Sequence, residues 1–326
     1  MKRFVTCILL AVFVLTSLFA FAACKTEKPP EVKPAGETPT EAPTEVPTPE
    51  PKSVDEIYEI YTNAVKKLQD MKDINFVSVG DNTIKFVSGD ETEEEHAKTT
   101  IELKVSNLGG KDSAYYYLVK IESAEHPDES GKLEYIATKD RVFMRGGEND
   151  KYMYMVVDEA QSEAFGESWS DTAMDQDAID KEYFENAKYV EEEDGSAVIT
   201  IDSAETGKFP EDIQSVIDSI KSAISDKYLV SEDDITIDAK NLKSSFKVNA
   251  EGCCTKVIQE ITVVAKFSDE GKEYVVTLTA NQTADVIDPG KPVTIDIPKD
   301  EDCEPYDEVP NFFDEDYTDD YYEDIG

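Results

Sequence analysis

Residues 115–157 read YYYLVKIESAEHPDESGKLEYIATKDRVFMRGGENDKYMYMVV, and the reading of this stretch decides the fold. Four segments rich in aromatic and branched residues stand at 115–121, 133–137, 141–144 and 152–157. Acidic or glycine-containing turns separate them, the pattern of an antiparallel meander. Side chains alternate between the two faces of a strand. In the last segment Tyr152, Tyr154 and Val156 therefore face one way, and Met153, Met155 and Val157 the other. A strand that is apolar on both sides predicts a sheet that is covered on both faces or curved around something.

Upstream of this stretch, Ile101, Leu103 and Val105 alternate with Thr100, Glu102 and Lys104, one more strand. Before it, Ser53-Val54-Asp55-Glu56 fits a capping box, with Ser as N-cap and Glu three residues on. Val54, Ile57, Tyr61, Ala64, Val65, Leu68 and Met71 follow at steps of three and four, which predicts an amphipathic helix over 53–71. Downstream, 158–187 reads as mostly helical or irregular, with Phe165, Trp169, Met174, Ile179, Tyr183 and Phe184. A hairpin of 187–190 with 197–201 comes next. Pro210 then opens a second helix whose stripe is Ile213, Val216, Ile217, Ile220 and Ile224. Strands are expected again at 235–238, 244–250, 256–267 and 274–282, with a hairpin turn at 269–272. Pro292-Val293-Thr294-Ile295-Asp296-Ile297-Pro298 reads as a short edge strand between prolines.

The two ends are of another kind. Lys2 and Arg3 precede an uncharged apolar run, 4–23, that ends Phe21-Ala22-Ala23-Cys24. This resembles a bacterial lipoprotein signal, with Phe21 where Leu is commonest. The resemblance implies cleavage before Cys24 and acylation of its thiol and new amine. The protein is then lipid-anchored on the extracytoplasmic face of the cell membrane. The run is also long enough to serve as an uncleaved anchor, but a plain anchor has no use for Ala-Ala-Cys. Residues 24–52 are rich in Pro, Thr and Glu without apolar periodicity, an extended spacer with a reach on the order of 80 Å. A single domain is expected over 53–298. Residues 299–326 read as a disordered acidic tail, with no base after Lys299 among the many acids and with Tyr306, Phe312, Phe313, Tyr317, Tyr321 and Tyr322 interspersed.

The formal charge is −40, and loss of 1–23 removes Lys2 and Arg3 but no acid. So acidic a chain repels nucleic acid and anionic headgroups, which leaves the lipid on Cys24 to hold it at the membrane. A hydrophobic fraction of 40% still allows a core. Beyond Cys24 the mature chain has Cys253, Cys254 and Cys303, and an exported protein permits a disulfide of Cys303 with either Cys253 or Cys254. The two histidines, His96 and His126, sit in acidic segments that read as solvated turns. No nucleophile elbow, zinc motif, phosphate loop or paired CxxC occurs. No enzyme, cofactor or metal site is therefore expected. The acidic run 90–95 lacks the alternating ligands and glycine of a calcium loop.

One long helix, a meander, a helical insertion, a second helix and a closing meander, behind a lipobox and a Pro/Thr spacer, resemble the LolA/LppX-like lipoprotein superfamily. The likeness is nearest to its small uncharacterised Gram-positive members. It spans 53–298 and rests on element order, with residues 53–71 and Pro292–Pro298 as the end signatures. It implies an α+β fold, a curved antiparallel half-barrel packed on amphipathic helices, with space for acyl chains between sheet and helices. Tyr115, Tyr117, Tyr135, Phe143, Tyr152, Tyr154, Ile217 and Ile220 then line a cavity; the other reading makes them ordinary core. Two functions compete. One is a non-catalytic envelope protein that binds an apolar ligand such as a lipid acyl chain. The other is a structural or adhesive surface lipoprotein that works through another envelope protein, with the acidic aromatic tail as its contact.

Overall fold

A computed structural model describes residues 52–127, 130–146, 151–157, 179–203, 211–269 and 271–305. Cys24 with the signal and spacer, the stretch 158–178 with Phe165, Trp169 and Met174, Pro210, the side chains of Ile213 and Val216, and residues 306–326 lie outside these.

Helix α1 spans Val54–Gln69 and starts as the capping box predicts. The Glu56 amide donates to Ser53 Oγ at 3.3 Å, and the Ser53 amide donates to Glu56 Oε2 at 2.8 Å. The amide of Ser53, then its hydroxyl, holds the Glu56 carboxyl below its ordinary pKa. Ile57, Tyr61, Ala64, Val65 and Leu68 are its buried stripe.

The strands are β1 (Ile74–Ser88), β2 (Glu91–Ser106), β3 (Ala114–Ser123), β4 (Gly131–Thr138), β5 (Arg141–Gly146), β6 (Met153–Val156), β7 (Lys188–Glu191) and β8 (Ala197–Asp202). After α2 (Glu211–Tyr228) come β9 (Thr236–Val248), β10 (Cys254–Asp269), β11 (Lys272–Val286) and β12 (Glu304–Pro305). All belong to one sheet in the order β12-β6-β5-β4-β3-β2-β1-β11-β10-β9-β8-β7. Two meanders thus run outward from a central seam, the antiparallel β1–β11 pair. Among the described strands only β12 lies parallel to its neighbour, β6.

Several elements differ from the sequence reading. β1 was not anticipated, because its helix-side positions include Ser78, Gly80 and Asn82 and so break the apolar alternation. β2 begins at Glu91, so the acidic run and His96 lie in a strand rather than a turn. Charged residues are tolerated there because Glu91, Glu93, Glu94 and His96 are exposed and Glu95 is only partly buried. The segments 235–238 and 244–250 are one strand, β9, whose pairing with β10 is interrupted by a bulge. Pro292–Pro298 forms no strand; its prolines remove donors, and Val293 N–H instead donates to Asp73 Oδ1 at 3.1 Å. Residues 300–305, placed above in the acidic tail, are folded: a 3₁₀ turn at Asp300–Asp302 leads into β12.

Both helices pack on one face of the sheet, here the inner face. Tyr61 of α1 lies 5.0 Å from the ring centres of Phe184 and of Phe246 in β9. Phe76, Leu103, Ile199, Val257 and Ala284 complete this cluster. Ile217, Ile220 and Ile224 of α2 pack on Ile84, Ile261, Val263, Val276 and Leu278 farther along the same strands. At the end of α1, Lys67 donates to the Glu251 carbonyl in the β9–β10 turn. Gly252 there has φ +74°, and a side chain on it would press on Lys67. No helix among the described residues is long and apolar enough to cross a membrane.

A candidate ligand-binding face

Strand register sorts the wing β3–β6 into two unlike faces. On the inner face one row runs Leu103, Tyr117, Tyr135, Met144, Met153. The next runs Val105, Tyr115, Ala137, Val142, Met155. Val119 and Leu133 extend the patch, and Leu133 is 37% exposed. Tyr115 and Tyr117 border the α1 cluster, so the patch continues the core outward. Beyond them Tyr135, Val142, Met144, Met153 and Met155 are half-buried only. Burial raises the Tyr115 phenol and pushes that of Tyr117 up to about 12, so these groups stay neutral at any ordinary pH. Uncharged, aromatic and methionine-rich, this surface suits a flexible apolar ligand.

The outer face of the same wing is closed at its centre, although Val156 at the end of β6 is 66% exposed. Phe143 is 1% exposed and Ile136 2%, with Tyr154 6.2 Å from the Phe143 ring. Glu134 is buried beside them. Arg145 Nε donates to its Oε2 at 3.0 Å, Lys132 Nζ lies 3.1 Å from the same oxygen, and Tyr116 O–H donates to Oε1 at 2.9 Å. Burial by itself would raise this carboxyl; the donors from Arg145, Lys132 and Tyr116 outweigh it and hold the pKa at about 2. Arg145 stacks on Tyr152 at 4.5 Å. The phenols of Tyr116 and Tyr152 are raised, chiefly by burial and then by Glu134, that of Tyr152 to about 12. The C-terminal segment straps the edge: Arg141 Nη2 donates to Asp300 at 2.9 Å, and Lys151 to Glu304 at 3.1 Å. Between strap and strands lies a cleft of about 320 Å³ bordered by Phe143, Arg141, Ile297 and Pro298.

The candidate cavity residues are therefore not one lining. Tyr115, Tyr117 and Tyr135 share the inner face of the wing. Phe143, Tyr152 and Tyr154 are on its outer face, because Tyr135 pairs with Met144 and thereby turns Phe143 away. Ile217 and Ile220 are buried in the α2 cluster. Met144, Met153 and Met155 take the places next to Tyr117 and Tyr135. Their signal in the sequence is the period-two alternation, but only the register of β3 to β6 says which half of it joins the tyrosines.

Cys253, Cys254 and Cys303 are all free, so the expected disulfide is not formed. Cys254 begins β10, whereas Cys303 precedes β12 at the far end of the strand order. Burial raises the thiols of all three, that of Cys254 to about 12, which leaves them protonated and poor nucleophiles. His96 lies 3.3 Å from Glu94, and His126 3.8 Å from Glu95. Among the described residues no group of His, Cys, Asp and Glu has the geometry to hold a metal ion.

Between the two helix clusters the inner face turns polar. Ser78, Asn82, Thr99, Gln259 and Gln282 are all buried, the most exposed at 6%. Gln282 Nε2 donates to Ser78 Oγ at 2.7 Å. Asn82 Nδ2 is buried without a hydrogen-bond partner. A buried donor left unpaired costs about 1–3 kcal/mol.

No protein-family model and no curated protein matches this chain. Among solved structures it is similar to a LolA superfamily protein from Nitrosomonas europaea, at 10% identity over 74% of this chain and 94% of that one, with a TM-score of 0.16. A DUF1329 family protein from Desulfovibrio piger matches at 10% identity over 68% and 90%, TM-score 0.16. A β-barrel-like DUF1849 protein from Brucella abortus matches at 8% over 67% and 100%, TM-score 0.15. With TM-scores this low, the likeness carries no weight for fold or function.

Proposed function

We propose that this chain is a non-catalytic lipoprotein of the cell envelope, held at the extracytoplasmic membrane surface by lipid on Cys24. It binds an apolar ligand, most simply a lipid acyl chain, on the inner face of β3–β6. The observation that carries this reading is the half-buried patch of Tyr117, Tyr135, Met144, Met153 and Met155, which continues the α1 cluster. Faces of this composition, apolar and rich in aromatic and methionine side chains, suit apolar ligands. On this reading the sheet curves as a half-barrel of the LolA/LppX-like kind, and the wing's inner face is its concave wall. Spacer and anchor keep the site beside the bilayer, where such ligands are exchanged.

The test is native mass spectrometry of residues 25–326 made in cells with ordinary membranes, followed by solvent extraction. Added masses that extract as lipid, and that fall when Met153→Asp places a charge on the patch, are the expected result. Apo protein that also fails to take up a fluorescent fatty acid would overturn the reading.

A further inference from the structure

The end of the segment 292–298 faces the start of β3 and the β4–β5 turn across the open cleft on the outer side of the wing. The segment belongs to no strand, yet its exposure alternates as along one: Val293 and Ile295 are half-buried, Thr294 and Asp296 exposed. Val293 N–H is taken by Asp73. The backbone N–H and C=O groups of Thr294, Ile295, Asp296 and Ile297 have no backbone partner among the described residues. An exposed segment with its main chain left in this state resembles an edge strand, open to pairing with another chain.

The cleft beside it has a volume of about 320 Å³, and its apolar part is Ala114, Phe143, Ile297 and Pro298. Ile297 is left 51% exposed there. Whole ligands take pockets of about 300–1,000 Å³, so this one suits a single large side chain. The charges around it are unequal. Arg141 is spent on Asp140 and Asp300, and Lys139 approaches Asp112 only to 4.0 Å. Lys299 lies 3.8 Å from Glu301, and Asp296 has no ion-pair partner among the described residues. Asp112, Asp140, Asp296 and Asp300 thus stand against Lys139 and Arg141, on a chain of net charge −40.

We propose that this is a docking site for an extended, cationic segment of a partner protein. The partner adds a strand along 293–297 and seats one aromatic side chain in the cleft, while its basic residues meet Asp112 and Asp296. Main-chain bonds then supply affinity and the pocket supplies selection, as in other strand additions. The charge excludes nearer occupants. Neither 158–178 nor 306–326 of this chain carries a base, and a second copy brings the same −40. The site is on the face opposite the tyrosine and methionine patch and does not depend on the apolar-ligand reading.

The experiment measures fluorescence anisotropy of a labelled peptide, Lys-Val-Thr-Phe-Thr-Val-Lys, on the full chain kept soluble in amphipol. Replacing the peptide's Phe by Ala is expected to weaken binding about tenfold or more, the scale of a side chain anchored in a pocket. Two further peptides carry N-methyl groups on alternate amides. One set faces the segment and its peptide fails to bind; the other set faces away and its peptide binds as before. Asp112→Lys with Asp296→Lys, both exposed, lowers affinity severalfold with Tm unchanged. Absence of binding at millimolar peptide overturns the proposal. So does binding that ignores the loss of Phe or falls equally with both methylated peptides, because attraction to a chain of charge −40 then accounts for it alone. Unchanged affinity in the double Lys variant removes the site from this cleft.

Discussion

The two halves of the sheet bury opposite faces. Across β1, β2 and β8–β11 the inner face is filled by helix side chains and the outer face is solvated: Ile84, Ile199 and Ile224 are fully buried, while Ile258 on the outer side is 39% exposed. Across β3–β6 the outer face is the one closed at its centre, with Phe143 and Ile136 buried, and the inner face is half-open. The difference follows from what reaches each half. In the first, α1 and α2 supply apolar stripes; in the second, the strap at 297–305 covers the outer side. Closely packed core and a half-buried aromatic and methionine-rich face thus coexist on one sheet.

That contrast can be broken most sharply at Tyr61. Its truncation in Tyr61→Ala removes the ring that joins Phe184 to Phe246, and the cost should be about 3–5 kcal/mol in denaturant unfolding. A loss below about 1 kcal/mol would mean that the helix-covered half is not the rigid one. On the outer face of the wing, Arg145→Ala leaves Glu134 to Lys132 and Tyr116 alone, and about 2 kcal/mol should be lost. The same carboxylate sets an acid limit. Its pKa is depressed from 4.5 to about 2, so the stability it contributes is complete above 4.5 and is lost as the pH falls toward 2. Urea midpoints measured between those values should decline less steeply in Glu134→Gln; parallel slopes would remove Glu134 from the account. Ser53→Ala takes away the cap of α1 at a cost of about 1 kcal/mol, seen as a lower Tm. The smallest stability effect should come from the open patch. Met153→Ala is expected to cost less than about 1 kcal/mol because its side chain is only half-buried, yet to weaken lipid uptake severalfold. A large stability loss with unchanged uptake would make the patch ordinary core.

Local chemistry was legible wherever one residue type has one use. The capping box at Ser53 and Glu56, the stripe of α1, the turn at 269–272 and the meander of β3 to β6 could all be read directly. Strand β1 could not, because Ser78, Gly80 and Asn82 are polar on the face that is buried. Their burial depends on neighbours from β2, β10 and β11 that are distant in the chain. The prolines around 292–298 suggested an edge strand, while the pairing beside β6 went to Glu304 and Pro305.

What the sequence by itself determined is most of the elements and the two-faced apolar character of the last strand of the β3–β6 wing, since helix and strand periodicity are local. Which side of β3–β6 became core and which stayed open was decided by tertiary structure alone. Register joined Tyr135 to Met144 and turned Phe143 away beneath the strap, and a shift of one residue would have exchanged the faces. The same holds for the buried polar band of Ser78, Asn82, Thr99, Gln259 and Gln282. Its members come from four strands, and only pairing across the β1–β11 seam brings them together.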